Sequence, residues 1–321
     1  MKSKTNPKAY KRKLGKYDSL DLRYLLGRLF TKIVCWICLL LSLVFGRDRF
    51  IRTFGNLFFY ARHKFKREMA VAKCQLNYVN RVLGKRGADT KLDTELISGE
   101  CFRSAGMWVA ELLLCCANTY EPLTDEQFRF EDPDNLYGTV KSGQSAILLS
   151  GHWGGFELGA VKFAHNGIPV TVVSKRPHSK FLAGILAESR QRLKIDVIWR
   201  DEPESTRNLL RCIRKGSVLI ALLDQDIDAK NEFYDFFDLP AAVPSQLFHL
   251  SARQKLPIYI GFVYKTDSNS HLGKLGRLTY SGSDEEVIQQ SIEYFQKELE
   301  NRLLENPSQW VWWHRRWRRR P

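Results

Sequence analysis

No G-x-S-x-G turn occurs in the 321 residues, and no set of histidines and cysteines has the spacing of a zinc site. The first absence excludes the exposed serine elbow of the α/β hydrolases. Ser150 and His152 also lie too close in the chain for the usual serine–histidine arrangement. The second absence excludes a structural zinc, and no metal or cofactor is expected. No RRM, KH or helix-turn-helix pattern and no internal repeat is present, which leaves a nucleic-acid module or a solenoid without support. The seven cysteines are odd in number, and Cys35, Cys38, Cys115 and Cys116 sit among apolar neighbours. That pattern excludes a disulfide scaffold and reads as buried thiols in a reducing compartment. Acidic residues are also in short supply. Fifty Lys and Arg against 35 Asp and Glu leave a net charge of +15, which implies anionic partners, whether nucleic acid, an acidic protein or a phospholipid surface.

Long apolar runs are scarce too. Ile33 to Phe45 is thirteen residues without a charge, and counting from Leu29 with Lys32 snorkelling gives seventeen, against roughly twenty for a comfortable span. Arg28 and Lys32 stand on one side, Arg47 and Arg49 on the other. We therefore expect a membrane anchor helix at 29–46, either short and spanning or lying deep in the interface. No small-residue cleavage site follows, so the segment reads as an anchor that stays. Before it, residues 1–28 carry nine basic residues against two acids and read as a disordered basic arm. Residues 47–321 form the remaining domain, long enough for a large core.

Within that domain, 47–120 is largely helical by periodicity. Turn residues at Pro122 and at Asp132 to Asn135 mark the entry to a sheet. Strand patterns follow at 146–150, 169–174, 195–199, 218–223, 258–264 and 277–281, most separated by helical stretches. Asp284 is the expected cap of a final helix running to Glu305, which Pro307 stops. The fold class is α/β, a central mixed sheet flanked by helices, with the N-terminal helical anchor.

The chemistry concentrates in Ser145-Ala-Ile-Leu-Leu-Ser-Gly-His152-Trp-Gly-Gly-Phe-Glu157. A buried strand runs into a glycine-rich turn, which places His152 at the carboxyl end of the strand, where ligands collect in open α/β sheets. A spacing of five does not put two side chains on one helix face, so Glu157 can reach His152 only from the helix back into the turn. The carboxylate would then hold one imidazole nitrogen while the other takes a proton. The plainer alternative is an ordinary turn histidine beside a solvated glutamate. Arg176 follows one strand and Asp224, Gln225 and Asp226 follow another. They suit phosphate binding and pocket lining, or ordinary turn chemistry. The tail from Trp310 to Arg320 interleaves tryptophan with arginine, a mixture that fits a membrane interface and also single-stranded nucleic acid.

His152-Trp-Gly-Gly-Phe-Glu157 resembles the His-x4-Asp/Glu signature of glycerolipid acyltransferases, in the form found in the bacterial lipid A late acyltransferases of the lauroyl and myristoyl type. Three further blocks agree in order: Pro169 to Arg176-Pro177, Ser217 to Asp224-Gln225-Asp226, and Asn306-Pro-Ser-Gln-Trp310 to His314-Arg315-Arg316-Trp317. The likeness spans roughly residues 29 to 317, with departures at Leu223, at Ser308 and in the glycine-free stretch 228–243. The resemblance implies a membrane-bound O-acyltransferase at the cytoplasmic face of the bacterial inner membrane. It would move a fatty acyl chain from acyl carrier protein, or acyl-CoA, to a hydroxyl of a lipid A precursor or similar glycolipid, with no nucleic acid involved. It also implies His152 as base with Glu157 holding the imidazole, and direct attack without an acyl-enzyme. The backbone N–H groups of Gly154 and Gly155 would meet the oxyanion. Arg176, Asp224, Gln225, Arg315 and Arg316 would contact substrate. The alternatives are an acyltransferase for another lysolipid or mannosylated lipid, and a non-catalytic basic protein that binds membrane or nucleic acid.

Overall fold

A computed structural model describes residues 22–89, 91–116, 124–125, 127–176, 186, 190–266, 270–279 and 281–319. Strand β2 (Ala146–Ser150) is buried along its whole length because both faces of the sheet are covered. Ala146 and Leu148 point to one face, where they meet Phe163 and Val170; Ile147 and Leu149 point to the other, toward Phe295 and Leu299. The neighbouring β5 (Val218–Leu222) alternates in the same way.

The main sheet has seven strands in the order β1-β9-β8-β2-β5-β3-β4. Here β1 is Phe128–Glu131, β3 is Val170–Ser174, β4 is Asp196–Trp199, β8 is Ile258–Lys265 and β9 is His271–Arg277. β8, β2, β5, β3 and β4 run parallel, whereas β9 is antiparallel to β8 and pairs parallel with β1. The sheet is thus mixed, and the carboxyl ends of five adjacent strands share one edge. Helix α6 (Phe156–His165) crosses from β2 to β3, and β5 then returns between them.

One face is closed by α3 (Lys66–Lys85) and the last long helix, α9 (Asp284–Glu305). Ile292, Phe295, Leu299 and Leu303 form the buried stripe of α9, and each contributes roughly 1.5–3 kcal/mol by burial. Its cap is Ser283 rather than Asp284: the Ser283 hydroxyl and the Glu286 carboxylate close a capping box.

Helices α1 (Leu22–Phe45), α2 (Arg47–Ala61) and α4 (Thr94–Cys116) form a separate layer. α1 begins inside the stretch read as a disordered arm, and residues 1–21 lie outside the described residues. Among the described residues no helix is long and apolar enough to cross a membrane, so the spanning reading of 29–46 is not supported. Cys35, Cys38 and Leu39 pack on α2 and α4, while Leu40, Leu43 and Val44 are 62%, 72% and 66% exposed on the other side. The turn expected at Pro122 also lies outside the described residues.

Three sheet elements depart from expectation, the first being β1, which precedes the turn at Asp132 to Asn135 and was not expected. The final strand is 271–277 and not 277–281. A hairpin of β6 (Asn231–Phe236) and β7 (Leu239–Pro244) occupies the glycine-free stretch. Its turn residues Phe237 and Asp238 have φ of 49° and 55°, the positions at which Asn-Gly is usual. Tertiary contacts hold them there: Arg86 pairs with Asp238, the Phe237 N–H donates to Glu300, and Tyr78 donates to the Phe237 carbonyl.

Candidate active site

Register builds the centre. Ser150 of β2 lies opposite Leu222 of β5, and the Leu223 N–H donates to the Ser150 carbonyl at 3.0 Å. Two residues beyond each strand end, His152 and Asp224 are therefore side by side. The Asp224 carboxylate takes the His152 backbone N–H on Oδ2 at 2.9 Å and faces Nδ1 with Oδ1 at 2.8 Å. The indole N–H of Trp310 donates to the same Oδ2 at 2.7 Å. Burial alone would raise the pKa of Asp224, which is wholly buried, but the imidazole and these hydrogen bonds outweigh it and hold the carboxyl at about 2. An ionised Asp224 fixes the His152 proton on Nδ1 and leaves Nε2 as the acceptor.

Glu157 does not hold the imidazole. It sits in the first turn of α6 and pairs with Arg190 Nη2 at 3.1 Å, since the helix rotates it away from the turn that carries His152. Arg190 is buried, and its Nε and Nη1 have no hydrogen-bond partner among the described residues. His152, Glu157 and Arg190 line one cleft of about 630 Å³ whose walls include Ile198, Leu209, Leu210, Leu247 and Leu250. The Phe156 ring closes edge-on against His152 at 5.1 Å, and Trp108 of α4 closes against Phe156 at 5.8 Å.

The glycine turn has a structural role. The Gly154 N–H donates to the Gln309 carbonyl at 2.9 Å and the Gly155 N–H to the Val263 carbonyl at 3.1 Å, so neither is available to an oxyanion. Gly154 has φ of +58°, and a Cβ there would lie 1.8 Å from the Val263 oxygen. Gly154→Ala is therefore expected to destabilise the fold by at least 2 kcal/mol, roughly the sum of backbone strain and a lost bridge, read as a lowered midpoint in urea unfolding.

The remaining candidates separate. Gln225 lines the cleft, and its Nε2 is buried without a partner among the described residues. Arg176 is outside the cleft, paired with Glu202 and stacked 4.9 Å above Trp199. Arg315 is exposed, whereas Arg316 is buried and donates to the Ala242 carbonyl at 2.6 Å and to Gln296 at 3.1 Å. Burial pushes the Arg316 pKa down to about 10 against the pull of Asp224 and Asp226. Trp310 and Trp312 are fully buried, so these two residues of the tail are core rather than a headgroup or base-stacking surface. His314 stays accessible with its ring 6.1 Å from that of His152; desolvation of its inner side, then the neighbouring imidazole, lowers its pKa to about 4.

Sequence reasoning missed Arg190 and the Trp310 bond to Asp224, and it selected Asp224 without its role. Arg190 carries no local signature; only its pairing with Glu157 marks it. No cluster of His, Cys, Asp and Glu that would hold a metal occurs among the described residues. A buried carboxylate orienting an imidazole, with a half-used guanidinium in the same cleft, can take a proton from a hydroxyl and meet a developing oxyanion.

No curated protein matches the chain. A family model described as bacterial lipid A biosynthesis acyltransferase does, over residues 17–319, a range that holds the whole sheet, the His152–Asp224 pair and the C-terminal tryptophans. That removes the non-catalytic reading. The chain belongs to the bacterial lipid A biosynthesis acyltransferase family and is an enzyme that transfers acyl groups.

Proposed function

We propose that this enzyme moves a fatty acyl chain from the thioester of acyl carrier protein, or of coenzyme A, to a hydroxyl of a lipid A precursor. The observation that carries the reading is the His152–Asp224 pair at a cleft with apolar walls. The acceptor hydroxyl donates to His152 Nε2 and its oxygen attacks the thioester carbonyl carbon as the proton passes to Nε2. Asp224 balances the imidazolium in a site where burial strengthens the attraction. The oxyanion meets the free donors of Arg190 in place of the turn amides. Collapse breaks the C–S bond, and the departing thiolate takes the proton back from Nε2. The acyl chain lies along Leu209, Leu210, Leu247 and Leu250.

The full-length protein, incubated with acyl carrier protein thioester and a lipid A precursor, is expected to transfer the chain, and His152→Ala to lose about 10²–10⁴ in rate. Mass spectrometry of membrane lipids should show lipid A short of one acyl chain in cells carrying either His152→Ala or no copy of the gene. Unchanged lipid A with another lipid short of a chain would transfer the reading to that acceptor.

The enzyme works at the cytoplasmic face of the inner membrane, held there by α1. Its outer face exposes Ile33, Trp36, Ile37, Leu40, Leu43 and Val44 between basic flanks, the pattern of a helix lying in an anionic interface. Each basic residue near such a surface adds about 1 kcal/mol. Leu40→Glu with Val44→Glu is expected to cut co-sedimentation with phosphatidylglycerol vesicles at least tenfold, since each removes apolar contact and adds repulsion. Retained binding would place the membrane contact elsewhere.

A further inference from the structure

The cleft holds more positive charge than the proposed chemistry uses. Besides Arg190 and Lys175, its lining includes Arg200, Lys230 and Arg253. None of these three side chains makes a hydrogen bond or ion pair with the described residues, and Arg200 Nη1 is shut off from solvent without an acceptor. The nearby carboxylates are engaged elsewhere: Glu157 by Arg190, Asp228 by Arg319, and Glu232 by His249 at 2.7 Å. Asp201 and Asp228 act on Arg200 only through space, while burial lowers its pKa. Arg200 is half-buried, and leaving its Nη1 shut off from solvent and unanswered costs free energy that a bound anion would offset.

Three separate elements present these cations. Arg200 directly follows β4, where its backbone N–H donates to the Ser174 carbonyl at the end of β3 at 3.0 Å. Lys230 ends the loop after β5, and its carbonyl accepts the Ser245 N–H. Arg253 lies in the last turn of α8 (Gln246–Gln254), on the face that also sends Gln246, His249 and Leu250 to the cleft at three- and four-residue spacing. Side chains from a strand end, a loop and a helix that converge on one cavity, all of one sign, are the recognition pattern for a multiply charged anion. Guanidinium forks match the oxygens of a phosphate.

We propose that Arg200, Lys230 and Arg253 form a phosphate subsite in the cleft that holds His152, which fixes a phosphate ester of one substrate while the acceptor hydroxyl is acylated. This deepens the acyl-transfer reading and rests on it for the substrates concerned. Both the phosphopantetheine arm of a donor and a phosphorylated sugar acceptor carry the required group. Anchoring a remote phosphate would hold the reacting atoms in register.

Calorimetric binding separates the sources and needs no turnover. The probes are 4′-phosphopantetheine against pantetheine, and a phosphorylated glucosamine disaccharide against its dephosphorylated form. Wild-type protein is expected to bind one phosphorylated probe at least tenfold more tightly than its partner. Arg200→Gln, and separately the exposed Lys230→Gln, should each reduce that preference by about tenfold, while Arg200→Lys recovers part of it. Circular dichroism checks that each variant is folded. Equal binding of both members of both pairs by the wild type, or undiminished preference in folded variants, would overturn the subsite. Acyl transfer that persists with equal KM for phosphorylated and dephosphorylated substrates would reject the subsite and leave the enzyme's proposed reaction standing. Phosphate-selective binding without transfer to a lipid A precursor would do the reverse.

Discussion

Asp224→Asn should slow acyl transfer by about 10²–10⁴ while the protein stays folded. An amide side chain can turn its NH2 toward His152 Nδ1, which moves the imidazole proton to Nε2 and leaves no base facing the cleft. It also removes the buried anion that balances the imidazolium formed during transfer. Single-turnover rates at saturating donor and acceptor measure the loss. Glu157→Gln serves as the contrast: it breaks the pair with Arg190 at 3.1 Å and leaves the 2.8 Å contact between Nδ1 and Asp224 intact. Its rate should fall less than that of Asp224→Asn, because the imidazole keeps its tautomer. Near wild-type rates in Asp224→Asn, with the larger loss in Glu157→Gln, would return the orienting role to the glutamate.

The largest effect on stability is expected at Glu111→Gln. Glu111 of α4 is 1% exposed, pairs with Lys265 at the end of β8 and lies 3.3 Å from His271 Nε2 at the start of β9. Removing the charge would leave Lys265 buried without its partner, a loss of about 3–5 kcal/mol. The cluster lies directly under the catalytic turn, since a Cβ on Gly155 would sit 2.8 Å from His271 Cδ2. Burial by itself would raise the Glu111 pKa, but His271 and Lys265 outweigh it and hold the group at about 2. A carboxyl whose folded pKa is depressed stabilises the fold above its unfolded value, here near 4.5, and loses that contribution as pH falls toward 2. Asp224 acts with the same sign. Urea midpoints should therefore fall steeply below pH 4.5 in the wild type and less steeply in Glu111→Gln, whose midpoint is already low at pH 7. A wild-type midpoint flat from pH 6 to pH 3 would show that neither carboxylate is held in this way.

The five adjacent parallel strands were legible to within a residue because a strand covered on both faces reads as a continuous apolar run, as Ala146–Ser150 and Val218–Leu222 do, whereas the edge strand Phe128–Glu131 has no such run and was not expected. β9 was misplaced because His271–Arg277 mixes Gly273 and Gly276 with basic residues and has only Leu272 and Leu275 as large apolar ones, and it is a strand only through its pairing with β1 and β8. The β6–β7 hairpin escaped notice for a related reason. Its turn uses Phe237 and Asp238 at positive φ, and the contacts that stabilise them come from α3 and α9. The tail's tryptophans read as an interface composition, yet Trp310 and Trp312 close the core. Composition reports what a segment contains and not which side of it is covered.

Amino-acid order by itself determined the α/β architecture, the buried parallel strands, the glycine turn that carries His152 at a strand end and the acyltransferase family. Only the tertiary structure decided which carboxylate serves the histidine. Asp224 is 72 residues away in the chain but adjacent through the register of β2 and β5, whereas Glu157, five residues away, is carried by the helix toward Arg190. Hydrogen-bonded strand pairing sets that neighbourhood, and no local pattern around residue 152 encodes which strand end will lie beside it.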